Sequence, residues 1–532
     1  MKNGVIIWLS ALLFSVLASV PWLVPHTGWV ALFAIVPLLL SEAVAAETGF
    51  RRFCLVHYSA FVLWNAFTTF WVCNATVGGG VFAILANALQ MSVVFGIFRF
   101  GKRHLPGVLS YIFLAVLWIA WEKLYFNVQI SWPWLVLGNA FATTTDLVQW
   151  YEYTGTLGGS LWIWASNLAI FGIISSWLGA SWKNSLSLIS SHLGLVLLVA
   201  GPILFSLGIY DRYEEKSDGK VNVIIAQPNF DPYEKFESLA QRKQNEILLS
   251  LFGSDTAAFA GPALLVAPET FTGDVVLHRM QESPTLRTMS AFLDSNRNKA
   301  LLMGAGTYEI YGTHSAPSKY AREYGDGWIE SHNSAVMLEP GKEPEVFHKS
   351  KLVVGTELTP YPDVFIPLDD WLSRRMGVGG LMGRCVGQKE ISNLHYAGIP
   401  FGCAVCYESV YGEYCTGYVR KGAEFMTVIT NDAWWGDTPG YRQHFSYSRL
   451  RAIELRRDIA RCGNTGISAI IDQKGDVVSE TPWRERTVLA GELNLNVCKT
   501  FFVIYGDIAG RLCSFMSALL ALLLFVRAIL KK

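Results

Sequence analysis

Three side chains of complementary chemistry close short apolar runs in this sequence. Glu269 ends "LLVAPE", Lys349 ends "EVFHK" and Cys406 ends "FGCAVC". If each run is a strand, the residues just past the strand ends gather along one edge of a sheet, where sites form. A carboxylate, an ammonium and a thiol meeting there would supply a base, an oxyanion stabiliser and a nucleophile. Each residue alone is unremarkable, and it is the repeated position that carries the signal.

The cysteines decide how the third residue is read. There are nine, at positions 54, 73, 385, 403, 406, 415, 462, 498 and 513. An odd number outside the cytoplasm excludes a complete set of intramolecular disulfides. As a metal pair, Cys403 and Cys406 would want a second pair at ligand spacing. Cys385, His395 and His444 do not supply one, so neither a metal nor a cofactor is expected. Cys403 lies within the apolar run and reads as a small core residue. Cys406 stands where the strand gives way to a helix, and helix amides with a nearby lysine are expected to lower its thiol pKa below about 8.5. Cys406 therefore reads as a nucleophile.

The elements that must position these residues lie between Lys220 and about Val497. Short apolar runs alternate there with longer amphipathic ones, as in an α/β sandwich. Strands are expected at "VNVIIAQPN", "PALLVAPET", "ALLMGAGTYE", "NSAVMLEP", "EVFHKSKLV", "IPFGCAVCYE" and "EFMTVITND". Helices are expected at "FESLAQRKQNEILLSLF", "TLRTMSAFLDSNRN" and "SVYGEYCTGYVRKGA". "YSRLRAIELRRDIAR" reads as a basic helix with a solvated face, or one that steers anionic headgroups, and "ISAIIDQKGDVVSET" as a hairpin. Strand alternation would place Lys349 and Lys351 on one face, so periodicity does not choose between them.

The rest of the chain is of another kind. Of 532 residues, 52% are apolar, and formal charge is balanced at zero, which suggests no nucleic-acid partner. A spanning helix needs about 20 mostly apolar residues. Eight candidates lie near 5–23, 29–46, 53–72, 81–100, 108–126, 160–178, 193–210 and 508–529. The first lacks a clean cleavage site and is followed by Pro21 and Pro25, which argues against a removed signal peptide. Placing Lys2 inside also places Arg51, Arg52, Arg99, Lys102, Arg103, Lys183, Arg527, Lys531 and Lys532 inside. The alternate loops near 24–28, 73–80 and 127–159 carry no Lys or Arg. By the positive-inside rule the polar domain then lies outside the cytoplasm and both termini inside. The expected division is a seven-helix membrane domain over 1–211, a catalytic domain over 212–500 and an eighth span over 501–532. Glu122 and Lys123, near the outward end of the fifth span, read as a snorkelling interfacial pair beside Trp121 and Tyr125.

At this point a resemblance comes into view. The polar domain resembles the nitrilase superfamily, whose Glu–Lys–Cys triad matches Glu269 in "APET", Lys349 in "HKSKLVVGTE" and Cys406 in "VCYE". With helices on both sides of that domain, essentially all of the chain is similar to the apolipoprotein N-acyltransferases. Gln227, Asn229 and Lys235 match the family's opening motif, with Phe236 in place of a Trp. "HNSAVML" matches the Y-N-S strand with His332 for Tyr. Asn431, Asp432 and Trp434 match N-D-A-W-F-G, and Asn464 and Gly466 match N-x-G. Two departures stand out: Ala267 replaces the Trp of W-P-E-T, and "LVVGTE" keeps Glu357 but loses a Pro and a Phe.

The resemblance implies an αββα sandwich on the periplasmic side of a bacterial inner membrane. It implies transfer of an acyl chain from a phospholipid, phosphatidylethanolamine-like, to the N-terminal amine of a diacylglyceryl-cysteine apolipoprotein through a Cys406 thioester. Family spacing to Glu357 selects Lys349 over Lys351. Glu357, Tyr407, Glu408 and Trp434 are expected to bind substrate, with 434–441 as a mobile interfacial loop through which lipid enters. Two other readings use the same residues differently: a membrane-tethered amidase that uses water, and a non-catalytic membrane protein with a decayed enzyme domain. Retention of Glu269, Lys349, Glu357 and Cys406 together disfavours decay.

Overall fold

The computed structural model describes residues 2–177, 192–254, 260–378 and 380–530. Lys183, Lys531, Lys532 and the end of the expected span at Leu178 lie outside the described residues. The chain divides into two compact units. One takes Met1–Tyr213, Asp437–Ser446 and Tyr505–Lys532, and the other Glu214–Gly436 and Tyr447–Ile504.

The first unit is helical. Among the described residues, seven helices are long and apolar enough to cross a membrane: Asn3–Leu23, Gly28–Glu47, Val77–Gly101, Gly107–Tyr125, Tyr151–Trp177, His192–Arg212 and Ile508–Leu530. The expected span at 53–72 forms a shorter helix, Phe53–Thr69, of 17 residues. Polar side chains within this unit bond backbone that the helices leave open, as an apolar surround requires. The stretch Gly28–Glu47 breaks ahead of Pro37, which cannot donate a hydrogen bond. The Asn167 carbonyl oxygen takes up the freed N–H groups of Ile35 and Val36 at 2.7 and 3.1 Å.

Glu122 and Lys123 do not snorkel. Glu122 is buried, and its Oε1 accepts from Trp118 Nε1 at 3.1 Å and from the Leu137 backbone N–H at 2.9 Å. Lys123 pairs with Asp507 at 3.2 Å. Both groups thus tie helices of the unit together. Residues 437–446 are likewise fixed within it. The Gln443 amide accepts from the indoles of Trp71 and Trp134 and donates to the carbonyls of Trp22 and Thr68.

The second unit is built on two sheets. The first runs in the order Thr487–Asn494, Lys220–Gln227, Ala263–Val266, Lys299–Tyr311, Gly327–Leu338 and Arg322–Tyr324. Thr272–Val276 also pairs with Lys299–Tyr311, and Glu345–His348 with Gly327–Leu338. The second sheet runs Val477–Glu480, Ala469–Ile471, Ile459–Gly463, Phe425–Thr430, Ile399–Val405 and Leu394–Tyr396. Phe425–Thr430 lies parallel to both of its neighbours and is buried along its whole length, as the continuous apolar run "FMTVIT" requires. Cys462 of the second sheet points its sulfur at the carbonyls of Ala226 and Val266 in the first, 3.3 and 3.6 Å away, so the two sheets are packed face to face.

Helices cover the outer side of the first sheet. Leu248 from Gln241–Gly253 and Leu286, Met289 and Leu293 from Pro284–Ser295 are buried with Ile224, Leu265, Leu301 and Met303 of the strands. Their spacing of three and four residues gives each helix one apolar face. Ser283 caps the second helix by accepting from the Leu286 N–H at 3.1 Å.

Two expectations change here. The expected helix over "FESLAQRKQNEILLSLF" divides into Pro232–Glu237 and Gln241–Gly253. The expected basic helix ends at Leu455, and "DIAR" enters the strand Ile459–Gly463. Four of its five arginines do not face solvent: Arg451, Arg456, Arg457 and Arg461 are buried, and Arg449 is half-buried. Arg451 pairs with Glu454 at 2.8 Å and Arg461 with Asp432 at 2.5 Å. Arg456 donates to the Gln473 carbonyl and Arg457 to that of Ala423, so each buried guanidinium is hydrogen-bonded, the condition under which burial is tolerated.

Candidate active site

Glu269, Lys349 and Cys406 all stand immediately after strands or close to strand ends, and the fold brings them together. Ala263–Val266 ends three residues before Glu269, and Gly304 of the neighbouring strand passes directly beneath. A Cβ on Gly304 would lie 2.5 Å from the Glu269 Cα, so only glycine admits this approach. Glu345–His348 ends one residue before Lys349, whose N–H donates to the Asn333 carbonyl at 2.8 Å. Lys349 and Lys351 therefore leave the strand before any alternation applies to them. Cys406 follows Ile399–Val405 and opens a 3₁₀ turn, Cys406–Val410. Its φ is +52°, left-handed for a side chain with a Cβ, the kind of strained strand-to-helix turn that presents a nucleophile at a sheet edge.

Lys349 is buried and lies between two carboxylates, with Nζ 3.0 Å from Glu269 Oε1 and 3.0 Å from Glu357 Oε1. Asn333 Nδ2 donates to the same two oxygens at 2.8 and 2.6 Å. The second Glu269 oxygen accepts the Asn431 backbone N–H at 3.1 Å, and that of Glu357 the Val353 N–H at 2.7 Å. Burial alone would lower the Lys349 pKa, but Glu269 and Glu357 outweigh it and hold the ammonium well above its ordinary value.

The thiol behaves differently from the expectation. Burial first, and then the negative charge of Glu269, push Cys406 well above the ordinary thiol range, with Lys349 opposing them. The lysine does not deliver a thiolate because its charge is already shared by two carboxylates. The surroundings of Cys406 thus favour the neutral thiol. Cys403 is buried, and burial pushes its thiol up to about 12, in keeping with a core residue.

The expected substrate-binding residues fall into two groups. Glu357 lines a cavity of about 380 Å³ together with Asn333, Thr270, Tyr308, Arg322 and Cys385. Trp434, half-buried in the 3₁₀ turn Asp432–Trp435, has its ring stacked on Phe236 at 6.0 Å and edge-on to Tyr233 at 5.6 Å. Phe236 stands where the family has Trp and gives Trp434 an aromatic partner. Tyr407 is buried edge-on to Tyr411 at 5.2 Å. Glu408 is completely buried: Oε1 accepts from the N–H groups of Ser350 and Lys351 and from the Tyr414 hydroxyl, and Oε2 from the Val405 N–H. Within the segment 434–441 the loop is confined to residues 436–438, between the end of the 3₁₀ turn and a helix that begins at Pro439.

Two residues at the site escaped sequence reasoning as site residues. Asn333 is the amide in the middle of the apolar strand Gly327–Leu338, and a buried polar group in such a run needs partners, which was the available signal. Lys235 is buried beside Glu269, with Nζ 3.5 Å from its backbone oxygen, and burial lowers its pKa to about 8 against the raising effect of Glu269.

Residues 217–501, more than half of the 532, match the family model described as carbon-nitrogen hydrolase. The chain belongs to the carbon-nitrogen hydrolase family. Residues 10–169 match a second model, described as the apolipoprotein N-acyltransferase N-terminal domain. Two relatives align with nearly the whole chain. The apolipoprotein N-acyltransferase of Chlorobaculum tepidum is 29% identical over 515 residues, covering 95% of this chain and 93% of its own. That of Geobacter metallireducens is 28% identical over 530 residues, covering 98% and 95%. Among solved structures, Saccharomyces cerevisiae Nit3, described as a member of branch 10 of the nitrilase superfamily, is 14% identical with a TM-score of 0.38, covering 53% of this chain and 92% of that one.

Proposed function

We propose that this carbon-nitrogen hydrolase family member is a membrane-embedded N-acyltransferase of bacterial lipoprotein maturation. It moves an acyl chain from a phospholipid, phosphatidylethanolamine-like, to the N-terminal amine of an S-diacylglyceryl-cysteine apolipoprotein. The observation that carries the reading is the meeting of Glu269, Lys349 and Cys406 in a chain whose other matched segment is the N-terminal domain of the N-acyltransferases. The charge bias of the loops supports an inner-membrane protein with the catalytic unit on the periplasmic side and both termini in the cytoplasm.

In the first half-reaction Glu269 takes the Cys406 proton while the sulfur attacks the acyl carbonyl carbon. The ammonium of Lys349 stabilises the tetrahedral oxyanion. The ester C–O bond breaks, Glu269 returns its proton to the leaving oxygen, and a lysophospholipid departs from a Cys406 thioester. In the second, Glu269 takes a proton from the acceptor amine as its nitrogen attacks the thioester. The C–S bond breaks, and that proton restores the thiol. Glu357 and Asn333 hold Lys349 and Glu269 in register, and Trp434 with Phe236 offers an apolar platform for the acyl chain.

The test is purified full-length protein in detergent with a phospholipid and a diacylglyceryl-cysteine peptide. Mass spectrometry is expected to show an acyl adduct on Cys406 that transfers to the peptide amine. Release of free fatty acid alone would indicate an amidase-type hydrolase. An adduct that persists in Cys406→Ala would refute the assigned nucleophile.

A further inference from the structure

His332, which stands where the family motif has Tyr, belongs to a cluster that the acyl-transfer reading does not use. It shares one face of the strand Gly327–Leu338 with Glu330, two residues earlier. Glu309 lies directly opposite Glu330 in the antiparallel pair with Lys299–Tyr311. One oxygen from each glutamate and one ring nitrogen of His332 lie within 4.8 Å of one another. Like charges placed directly across a sheet are destabilising, and more so when one of them is buried, as Glu330 is at 5% exposure.

The hydrogen bonds show what would relieve that repulsion. His332 is 6% exposed, and its Nδ1 is 2.8 Å from the Val386 carbonyl, which can only accept. Nδ1 therefore carries the hydrogen, and Nε2 is left with a free lone pair. Nε2 has no hydrogen-bond partner among the described residues, and neither does Glu330 Oε1. Tyr311 donates to the other oxygen, Glu330 Oε2, at 3.1 Å and leaves Oε1 open. A histidine that donates through one nitrogen to a backbone carbonyl while its other nitrogen is unpartnered, in a cluster with two carboxylates, is held as metal-ligating histidines are held.

We propose that Glu309, Glu330 and His332 bind one divalent cation of the zinc type. A mixed nitrogen and oxygen donor set suits Zn²⁺ and its first-row neighbours rather than Ca²⁺ or Mg²⁺. Bringing three atoms within 4.8 Å onto an ion at about 2.0–2.2 Å requires each to move by less than about 1 Å. The ion neutralises the paired carboxylates and clamps two neighbouring strands. One of these carries Asn333, whose amide holds Glu269 and Glu357. The clamp extends further through Val386: its N–H donates to the Ser331 carbonyl, and the adjacent Cys385 N–H donates to that of Glu357. The cation thereby stiffens the wall behind the catalytic residues and takes no part in the chemistry.

The test uses metal-stripped full-length protein with Cys406→Ala as background, titrated with Co²⁺ alone and followed by its visible spectrum. One equivalent is expected to bind with no thiolate-to-cobalt charge-transfer band, and Zn²⁺ is expected to displace it and raise the melting temperature. Glu330→Gln and the less buried Glu309→Gln should each weaken binding by at least about tenfold and abolish the zinc-dependent melting shift. Absence of stoichiometric binding, a thiolate band, or binding indifferent to Glu309→Gln in a variant that still melts cooperatively would each overturn the proposal.

Discussion

Ser350 donates its backbone N–H to Glu408 Oε1 at 2.7 Å. Ser350 follows Lys349 and Glu408 lies two residues beyond Cys406, so this bond fastens the loop carrying Lys349 to the turn carrying Cys406. Three further donors converge on the same carboxylate, from Lys351, Val405 and Tyr414. We read Glu408 as a positioning residue, because all four donors that converge on it come from the protein itself.

Removing that carboxylate strands four buried or half-buried donors at once. An unsatisfied buried group costs about 1–3 kcal/mol, so Glu408→Ala should lose at least about 3 kcal/mol of stability. Glu408→Gln should also be destabilised, because its NH₂ group would face a backbone N–H. Thermal unfolding in detergent checks both variants, and an unchanged melting temperature in Glu408→Ala would contradict the positioning role.

Lys349 and Lys351 separate cleanly. Lys349 contacts Glu269 and Glu357, whereas the Lys351 ammonium lies over the rings of Tyr411 and Tyr414 at 5.1 and 5.8 Å. Lys349→Ala should slow Cys406 acylation by roughly 10²–10³, the usual worth of one preorganised oxyanion donor. Lys351→Ala should keep acylation within about threefold of the parent, since cation–π contacts contribute on the order of 1 kcal/mol or less at such sites. Single-turnover acylation measures both, and the reverse order would exchange their roles.

The raised pKa of Cys406 gives a pH prediction of definite sign. Burial and the charge of Glu269 both disfavour the thiolate, so alkylation of the parent by a small neutral reagent should keep accelerating above about pH 8.5, where an ordinary thiol levels off. Glu269→Gln removes the negative charge and should shift the midpoint down, giving faster alkylation at pH 8. The same variant should acylate from lipid about 10²–10⁴ times more slowly, having lost its base. Slower alkylation at pH 8 in Glu269→Gln would mean that Glu269 activates the thiol at rest.

The meeting of Glu269, Lys349 and Cys406 was legible because each ends a short apolar run, and runs of that length with turn residues after them specify strands. The direction of the thiol shift was not. It depends first on the burial of Cys406 in the folded chain and then on Glu269, which arrives from a distant strand end. The buried arginines were hidden for the same reason. Arg461 looks like one more charge in a basic run, and its partner Asp432 lies 29 positions earlier. The strand Thr487–Asn494 had no strong alternation to announce it, and its place is fixed by pairing with Lys220–Gln227 from the opposite end of the domain. The pairing of Trp434 with Phe236 also joins distant segments, and it changes what a test of Trp434 must include.

Phe236 replaces a Trp of the family motif, yet its ring lies nearly parallel to that of Trp434, at 14° and 6.0 Å between centroids. Tyr233 meets the same indole edge-on. Such aromatic pairs are worth about 0.5–1.5 kcal/mol beyond their buried area, enough to fix one ring by the other. Phe236 is 59% exposed, so this face has more apolar surface than its own packing requires, and an acyl chain could cover it. Trp434→Ala should therefore slow acylation by phospholipid about tenfold or more while leaving Cys406 alkylation by a small water-soluble reagent unchanged. Phe236→Ala should show the same split because it removes the other half of the platform, and Phe236→Trp should retain lipid acylation. If Trp434→Ala reduced both reactivities equally, the ring would be holding the Cys406 turn rather than the lipid. If Phe236→Ala left acylation by lipid untouched, the two rings would not form one binding surface.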